Sequence, residues 1–307
     1  MPRFSIIVPC FNAAATLRET LDSLLAQDFS DWEAIFVDDG STDKTRAILR
    51  EASWQDPRLR WLPNPRRGPS AARNHAALAE AQGEILAFCD ADDLWPADRL
   101  TRLSQAFAAD AGLDGAYGRV AFFATDPARP ETISALAANP LGIATLLGEN
   151  PVCTMSNLAV RRASFVRSCG FDERLVHNED LEWLIRLVGD GARIEGLQPV
   201  LTFYRTSGAG LSANLPAMMR GREAALRSAA CFGVRANARS EAIFLRYLAR
   251  RALRLDQSRL MALRLTLRGL ALSPAGFFSD PRRGGLTACG ALLCPLLPGA
   301  LRRTLFA

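Results

Sequence analysis

Lysine is almost missing from this chain: Lys44 is the single lysine among 37 basic residues, and histidine occurs only at 75 and 177. The seven cysteines, at 10, 89, 153, 169, 231, 289 and 294, never form a CxxC pair and never sit beside a histidine. That excludes the usual zinc spacings, and a bound metal is expected to take oxygen donors. An odd, scattered set predicts reduced core cysteines in a cytosolic chain. Long apolar runs are also lacking. The stretch from Leu286 to Leu301 contains Pro295 and Pro298 and falls short of the ~20 residues a spanning helix needs. After Met1-Pro2-Arg3 only Phe4 to Pro9 is apolar, so no signal peptide is read, and activity is expected in the cytoplasm or at the cytoplasmic face of the membrane. Repeats and low-complexity tracts are absent.

What is present is enough for a large core: 307 residues, 49% hydrophobic and 22% charged, which excludes a disordered or fibrous chain. The net charge of +5 hides an asymmetry. Residues 1–215 carry 21 basic and 28 acidic residues, and residues 216–307 carry 16 and 4.

The first hundred residues alternate apolar runs with helical patterns, which predicts a parallel sheet built from strand-helix-strand units. Ser5 to Val8 is the first strand. Thr16-Leu17-Arg18-Glu19 then has capping-box spacing, and Leu17, Leu21, Leu24 and Leu25 form one helix face. Ala34 to Val37 is a second strand that runs into Asp38-Asp39-Gly40-Ser41-Thr42-Asp43. Leu59 to Leu62 is a third. After a turn-rich stretch, Ser70 is expected to cap an alanine-rich helix that Gly83 ends. Ile85 to Cys89 is a buried strand leading into Asp90-Ala91-Asp92-Asp93. Further on, strands are expected at Gly115–Phe123, Thr154–Val160 and Val200–Tyr204, and a helix at Glu179–Val188.

Ligands of open parallel sheets bind beyond the carboxyl ends of the strands, and both acidic clusters fall there. Asp90 and Asp92 can hold a hard divalent cation, Mg2+ or Mn2+, which neutralises the charge that builds on a departing nucleoside diphosphate. Asp38 and Asp39 are placed on a base or ribose, with helix capping as the alternative. Arg73 is placed on the diphosphate, or else on the surface.

Four segments carry a family resemblance: Ile6-Ile7-Val8-Pro9-Cys10-Phe11-Asn12, Val37 to Asp43, Ala71-Ala72-Arg73-Asn74 and Asp90 to Asp93. In order and spacing they resemble glycosyltransferase family 2, whose members have the GT-A fold, a Rossmann-like, mostly parallel sheet flanked by helices. The resemblance is dense over residues 4–100, thinner to about 212 and absent beyond. It implies that Pro9, Phe11, Asn12, Asp38 and Asp39 bind the nucleoside and that Asp90, Ala91 and Asp92 bind metal and diphosphate. A second match joins Gly170-Phe171-Asp172-Glu173 to His177-Asn178-Glu179-Asp180. By likeness it makes Asp180, beside Glu179, the general base for an acceptor hydroxyl in an inverting transfer. Chemically, the attacking hydroxyl must lose a proton, and adjacent acids raise each other's proton affinity. On residues alone, acids of a helix's first turn are the preferred reading of Glu179 and Asp180. Trp183 is expected either to stack on an acceptor sugar or to lie in the core, His177 is a weaker acceptor contact, and Arg186 is expected to pair with Glu182. Tyr204-Arg205 and Leu211-Ser212 resemble the end of the family's catalytic domain. Thr206-Ser207-Gly208 stands where many members carry a histidine, which leaves no protein histidine for the metal.

The expected organisation is a nucleotide-sugar half at 1–105, an acceptor half at 106–215 and an α-helical C-terminal extension at 216–307. In the extension Phe244, Leu248, Ala252 and Leu255 share one helical face and Arg246, Arg250 and Arg254 the other. Two readings stay open there: peripheral association with an anionic membrane, and a helical cap with its arginines in water. Nucleic acid is not expected as a partner, because the arginines lack interleaved aromatics. The expected partners are a nucleotide-sugar donor, such as a UDP-sugar, and a glycan or lipid-linked acceptor. A sugar-phosphate nucleotidyltransferase would need a phosphate loop rich in glycine and basic residues after the first strand, and Pro9 to Thr16 offers none. A non-catalytic sugar-nucleotide binder or membrane scaffold is the other alternative, which the Glu179-Asp180 pair argues against.

Overall fold

The computed structural model describes residues 1–206, 214–255, 258 and 260–306, so the readings at Ser207-Gly208 and Leu211-Ser212 fall outside the described residues. The chain forms two units, Met1–Leu141 with Pro151–Ser207 and Gly142–Asn150 with Gly208–Ala307. In chain order, the elements to residue 133 are β1 (Phe4–Cys10), α1 (Leu17–Leu25), β2 (Trp32–Asp38), α2 (Thr45–Gln55), β3 (Leu59–Pro63), α3 (Pro69–Asn74), β4 (Ile85–Phe88), α4 (Arg99–Ala109), β5 (Gly115–Phe123) and β6 (Thr132–Ile133). There follow α5 (Ile143–Leu146), β7 (Leu158–Arg161), α6 (Arg162–Arg167), α7 (Glu179–Gly189) and β8 (Ile194–Arg205). The remainder is helical: α8 (Leu215–Cys231), α9 (Ala238–Leu255), α10 (Met261–Leu272), α11 (Pro274–Phe277), α12 (Pro281–Leu293) and α13 (Gly299–Phe306).

The first unit is built on one sheet of order β3-β2-β1-β4-β7-β5-β6, with β8 on β5. The first four strands in that order run parallel, and β7 enters antiparallel to both its neighbours. Phe4, Ile6, Ile7 and Val8 are all buried, the continuous pattern of a parallel strand covered on both faces. The predicted leucines Leu17, Leu21 and Leu24 bury against this sheet. Each expected strand to residue 123 is present within two or three residues.

Three local expectations give way to longer-range partners. The capping box at Thr16 is not made: the Thr16 hydroxyl donates to the Ala91 carbonyl at 2.9 Å, and Glu19 pairs with Arg205 at 2.7 Å. Ser70 does not cap its helix, which starts at Pro69 behind Gly68; its hydroxyl donates to Leu175 O at 2.9 Å. The stretch 154–160 is not all strand, because Met155–Asn157 forms a 3-10 turn ahead of β7, with Thr154 accepting from Ser156 N. Nor are the cysteines all core residues. All seven are free, and Cys153, Cys169, Cys231 and Cys289 are exposed.

In the second unit α9 is central, with α10, α11, α12 and α13 packed against it. Phe244, Leu248 and Ala252 face the core as expected. The arginine face does not lie in water as a stripe. Arg246 is only 5% exposed and donates to Glu149 Oε2 and Phe277 O, both at 3.1 Å. Arg250 and Arg283 also approach Glu149, at 3.8 and 3.3 Å, and of the three helix-face arginines only Arg254 is fully exposed. A carboxylate on the 142–150 segment thus turns that face inward. No described helix is long and apolar enough to cross a membrane.

Gly83 has a role other than ending a helix. The helix before it ends at Glu80, and a Cβ at Gly83 would lie 2.5 Å from Ser5 N and 2.7 Å from Phe4 C, both backbone atoms of β1. Gly83→Ala should therefore push β4 off β1 and cost about 1–3 kcal/mol. Urea unfolding should show a lower midpoint with an unchanged slope; an unchanged midpoint would show that the strands absorb the methyl.

Candidate active site

The site grows from the carboxyl ends of β1, β2 and β4, which the register places side by side, with Cys10 beside Asp38 and Ile7 beside Phe88. Polar residues of the first two loops bond mainly to each other. Asn12 N donates to Ser41 Oγ at 2.9 Å, Thr42 N to Asn12 Oδ1 at 2.8 Å, and Ala13 N to Thr45 Oγ1 at 2.8 Å. Asn12 and Gly40 hold φ of +49° and +88° to make these turns.

Asp38 is 1% exposed and accepts from Gly40 N, Ser41 N and, at 2.6 Å, Arg46 Nε. Burial alone would raise its pKa, but the Ser41 and Arg46 contacts outweigh it and hold the carboxyl below its usual 3.8. This corrects the placement of Asp38 on the nucleoside, since its carboxylate is enclosed in its own turn. Asp39 accepts from Asn64 Nδ2 at 2.7 Å and Gly68 N at 3.0 Å, tying the β3-α3 loop to the end of β2. Pro9 is half-buried on β1, whereas Phe11 is 58% exposed and presents an open ring beside these turns.

At the end of β4, Asp90 N donates to Ser156 Oγ at 2.9 Å and Asp90 Oδ2 accepts from Thr154 Oγ1 at 3.4 Å. Ala91 is buried and contributes its carbonyl to Thr16. Arg205, at the end of β8, donates through Nε to Asp92 O at 3.1 Å and through its backbone N to Asp93 Oδ1 at 3.0 Å. Burial, then the charge of Asp90, pushes Asp92 up to about 6, and burial, then the charges of Asp92 and Asp90, raise Asp93, which is fully enclosed. Two carboxylates that resist joint ionisation fit a divalent cation. Among the described residues no third His, Cys, Asp or Glu converges on them. Such a pair suits Mg2+ or Mn2+, which retain water and take their other oxygens from substrate phosphates.

Arg73 is neither at the surface nor turned toward open solvent. Buried in α3, it donates through Nη2 to Asp90 Oδ1 at 2.7 Å and through Nη1 to Glu179 Oε1 at 3.0 Å. One guanidinium thus joins the acid pair after β4 to the acid pair at the start of α7. Asn74 acts beside it: its Nδ2 donates to Phe171 O and Glu173 Oε1, at 2.9 and 3.0 Å, and its Oδ1 accepts from Phe171 N at 2.9 Å. Immediately after Asn74 the helix widens into a π-turn over His75–Glu80, closed by Ala81 N on Ala76 O.

Glu179 is buried at the start of α7, behind Asn178 in the left-handed conformation at φ +58°. Burial first, then Asp180, pushes Glu179 up to about 7 against the pull of Arg73, and burial also raises the half-buried Asp180. His177 lies half-buried in the preceding loop. Trp183 is corrected as an acceptor platform. It is fully buried among Phe88, Phe165 and Phe171, with its indole N–H on Ser168 Oγ at 2.9 Å, so neither ring face can meet a sugar. Arg186 pairs with Glu182 at 2.8 Å as expected. Thr154, Ser156 and Arg205 were not picked out as site residues. The polar run Thr154-x-Ser156-Asn157 was the available signal, and it was read as strand.

An acid pair at the end of a parallel strand, facing a second acid pair across one buried arginine, sits in a fold that solved structures share. The S. aureus TarS 1-349 complex with UDP-GlcNAc aligns over 95% of this chain and 80% of its own, with TM-score 0.59 and 19% identity. The mannosyltransferase PcManGT of Pyrobaculum calidifontis, solved with GDP-Man and Mn2+, aligns over 99% and 87%, with TM-score 0.55 and 22% identity. The fold class is GT-A, a mixed α/β sheet with a helical C-terminal region.

Residues 5–167 match the family described as Glycosyl transferase family 2, and the chain belongs to it. The putative teichuronic acid biosynthesis glycosyltransferase TuaG of Bacillus subtilis is 39% identical over 101 residues, 33% of this chain and 40% of TuaG. The UDP-Glc:alpha-D-GlcNAc-diphosphoundecaprenol beta-1,3-glucosyltransferase WfgD of Escherichia coli is 41% identical over 97 residues, 31% of this chain and 37% of WfgD. The matches thus span well under half the length of these curated relatives.

The acid pair gives a pH-dependent expectation. Asp92 keeps its proton to about pH 6 in the folded chain against a usual 3.8, so between those values the folded state holds a proton the unfolded state has shed. Its contribution to stability therefore falls as pH rises through that window. A divalent cation competes with this proton, so Mn2+ should raise Tm clearly at pH 8 and little at pH 5, and Asp92→Asn should remove the difference. Equal shifts at both pH values would place the cation elsewhere.

Proposed function

We propose that the chain is an inverting glycosyltransferase that moves a sugar from a nucleoside diphosphate, a UDP-sugar in the first instance, to a hydroxyl of a cell-surface glycan or lipid-linked saccharide. The observation that carries this reading is the Arg73 bridge, which fixes Glu179 and Asp180 relative to Asp90. Donor and acceptor chemistry need that fixed relation. WfgD, and a GalNAc(5)-diNAcBac-PP-undecaprenol beta-1,3-glucosyltransferase of Campylobacter jejuni that is 36% identical over 107 residues, are named for diphosphoundecaprenol acceptors, which supports a lipid-linked class here.

In this reading Phe11 stacks on the base, and the backbone turns at Asn12 and Asp39 shape the wall beside the ribose. Asp90 and Asp92 hold Mg2+ or Mn2+, which when bound neutralises charge on the departing diphosphate. Asp180 faces the acceptor. As the hydroxyl oxygen bonds to the anomeric carbon, the bond from that carbon to the diphosphate breaks and the hydroxyl proton passes to the Asp180 carboxylate. Glu179 stays on Arg73, and its raised pKa keeps negative charge low next to Asp180.

Calorimetric titration with UDP, GDP and other nucleoside diphosphates should give metal-dependent binding of one of them, lost in Asp90→Asn/Asp92→Asn. No metal-dependent binding of any nucleotide would sink the reading. With a lipid-linked saccharide acceptor, Asp180→Asn should keep donor affinity and lower turnover by about 10²–10⁴-fold. Undiminished turnover would remove Asp180 as the base.

A further inference from the structure

The second unit carries a face whose chemistry no part of the proposed transfer uses. Ten large apolar side chains between residues 260 and 305 are exposed, more than half of the nineteen among the described residues. On α12 and the turn after it, Leu286, Cys289, Leu293 and Leu296 recur at helical spacing, and Leu286 and Leu296 are 67% and 79% exposed. The opposite side of that helix, Thr287, Gly290 and Ala291, is buried against the unit. On α10, Arg264, Leu267 and Arg268 are exposed, whereas Ala262, Thr266 and Gly269 are buried. These two helices pack on each other and both pack on α9.

Charge selects the partner. From residue 257 onward the sequence has a single acid, Asp280. Its carboxylate accepts from Arg283 N at 2.9 Å and pairs with Arg283 Nε at 3.2 Å. Exposed Arg264, Arg268 and Arg282 therefore stand among exposed leucines with no acid on the same helix faces. Exposed leucines repeated along one helix face mark an interaction surface. Leucines set among cations fit the headgroup boundary of an anionic bilayer, where the acyl region takes the leucines and phosphates take the guanidiniums.

We propose that the α10–α12 face docks peripherally on an anionic phospholipid membrane, without crossing it. The surface differs from the arginine face of α9, which Glu149 occupies. Docking goes beyond sugar transfer and is tested without it, by co-sedimentation of the full chain with vesicles. Binding should occur to equal parts phosphatidylglycerol and phosphatidylcholine, be absent with phosphatidylcholine alone, and be released by salt. Leu286→Glu/Leu293→Glu should abolish it at unchanged nucleotide affinity, and Arg264→Glu/Arg268→Glu should weaken it at least about tenfold. The second variant reads the same face if the first does not fold. Failure to sediment, or equal binding to both vesicle types, overturns the proposal. So does a chain that self-associates through Leu286 and Leu293 in sedimentation velocity and ignores the vesicles.

Discussion

One buried guanidinium organises the first unit's chemistry. Arg73 reaches Asp90, 17 residues away, and Glu179, 106 residues away, and its own burial is tolerable because both acids accept hydrogen bonds from it. In each acid pair one carboxyl, Asp92 or Glu179, is raised first by burial and then by its neighbour's charge. The arrangement keeps Arg73 and Glu179 largely out of water with half-buried Asp90 at its edge, so the position of the acid pair on α7 is set by the same residue that braces the acid pair after β4. Asn74, the next residue, clasps the Phe171–Glu173 loop, so two successive side chains of a six-residue helix fix the approach to α7.

The polar residues that mark the family at the ends of β1 and β2 serve the architecture more than the ligand. Asp38, Asp39, Asn12 and Ser41 bond mainly to neighbouring backbone and to one another. A rigid rim at the strand ends is the result, and Phe11 projects from it. Preorganised loops reduce the ordering that a ligand would otherwise impose on binding.

The sheet of the first hundred residues was legible because apolar runs and turn residues alternate at the period of parallel strand-helix units, and β5 and α7 were legible for the same reason. What escaped was long-range. Thr16 looks like a cap in sequence and bonds to Ala91; Ser70 looks like a cap and bonds to Leu175. Local spacing cannot weigh a partner a hundred residues away. Trp183 shares a helix face with Asp180 by count, but three phenylalanines from other elements enclose it. Arg246 shows the same limit, since its partner Glu149 lies 97 residues away in the chain.

That segment has a further consequence. Gly142–Asn150 leaves the first unit in mid-chain, and its groups are held by the C-terminal helices: Leu147 O accepts from Arg222 Nη2 at 2.8 Å, and Glu149 sits among Arg246, Arg250 and Arg283. The polypeptide thus passes between the two units three times. Shuffling the C-terminal helices between relatives by a single crossover, whether in evolution or in the laboratory, would strand Glu149 among foreign side chains. Exchange of the whole unit requires three junctions, two around Gly142–Asn150 and one before Gly208, and the two segments must be inherited together.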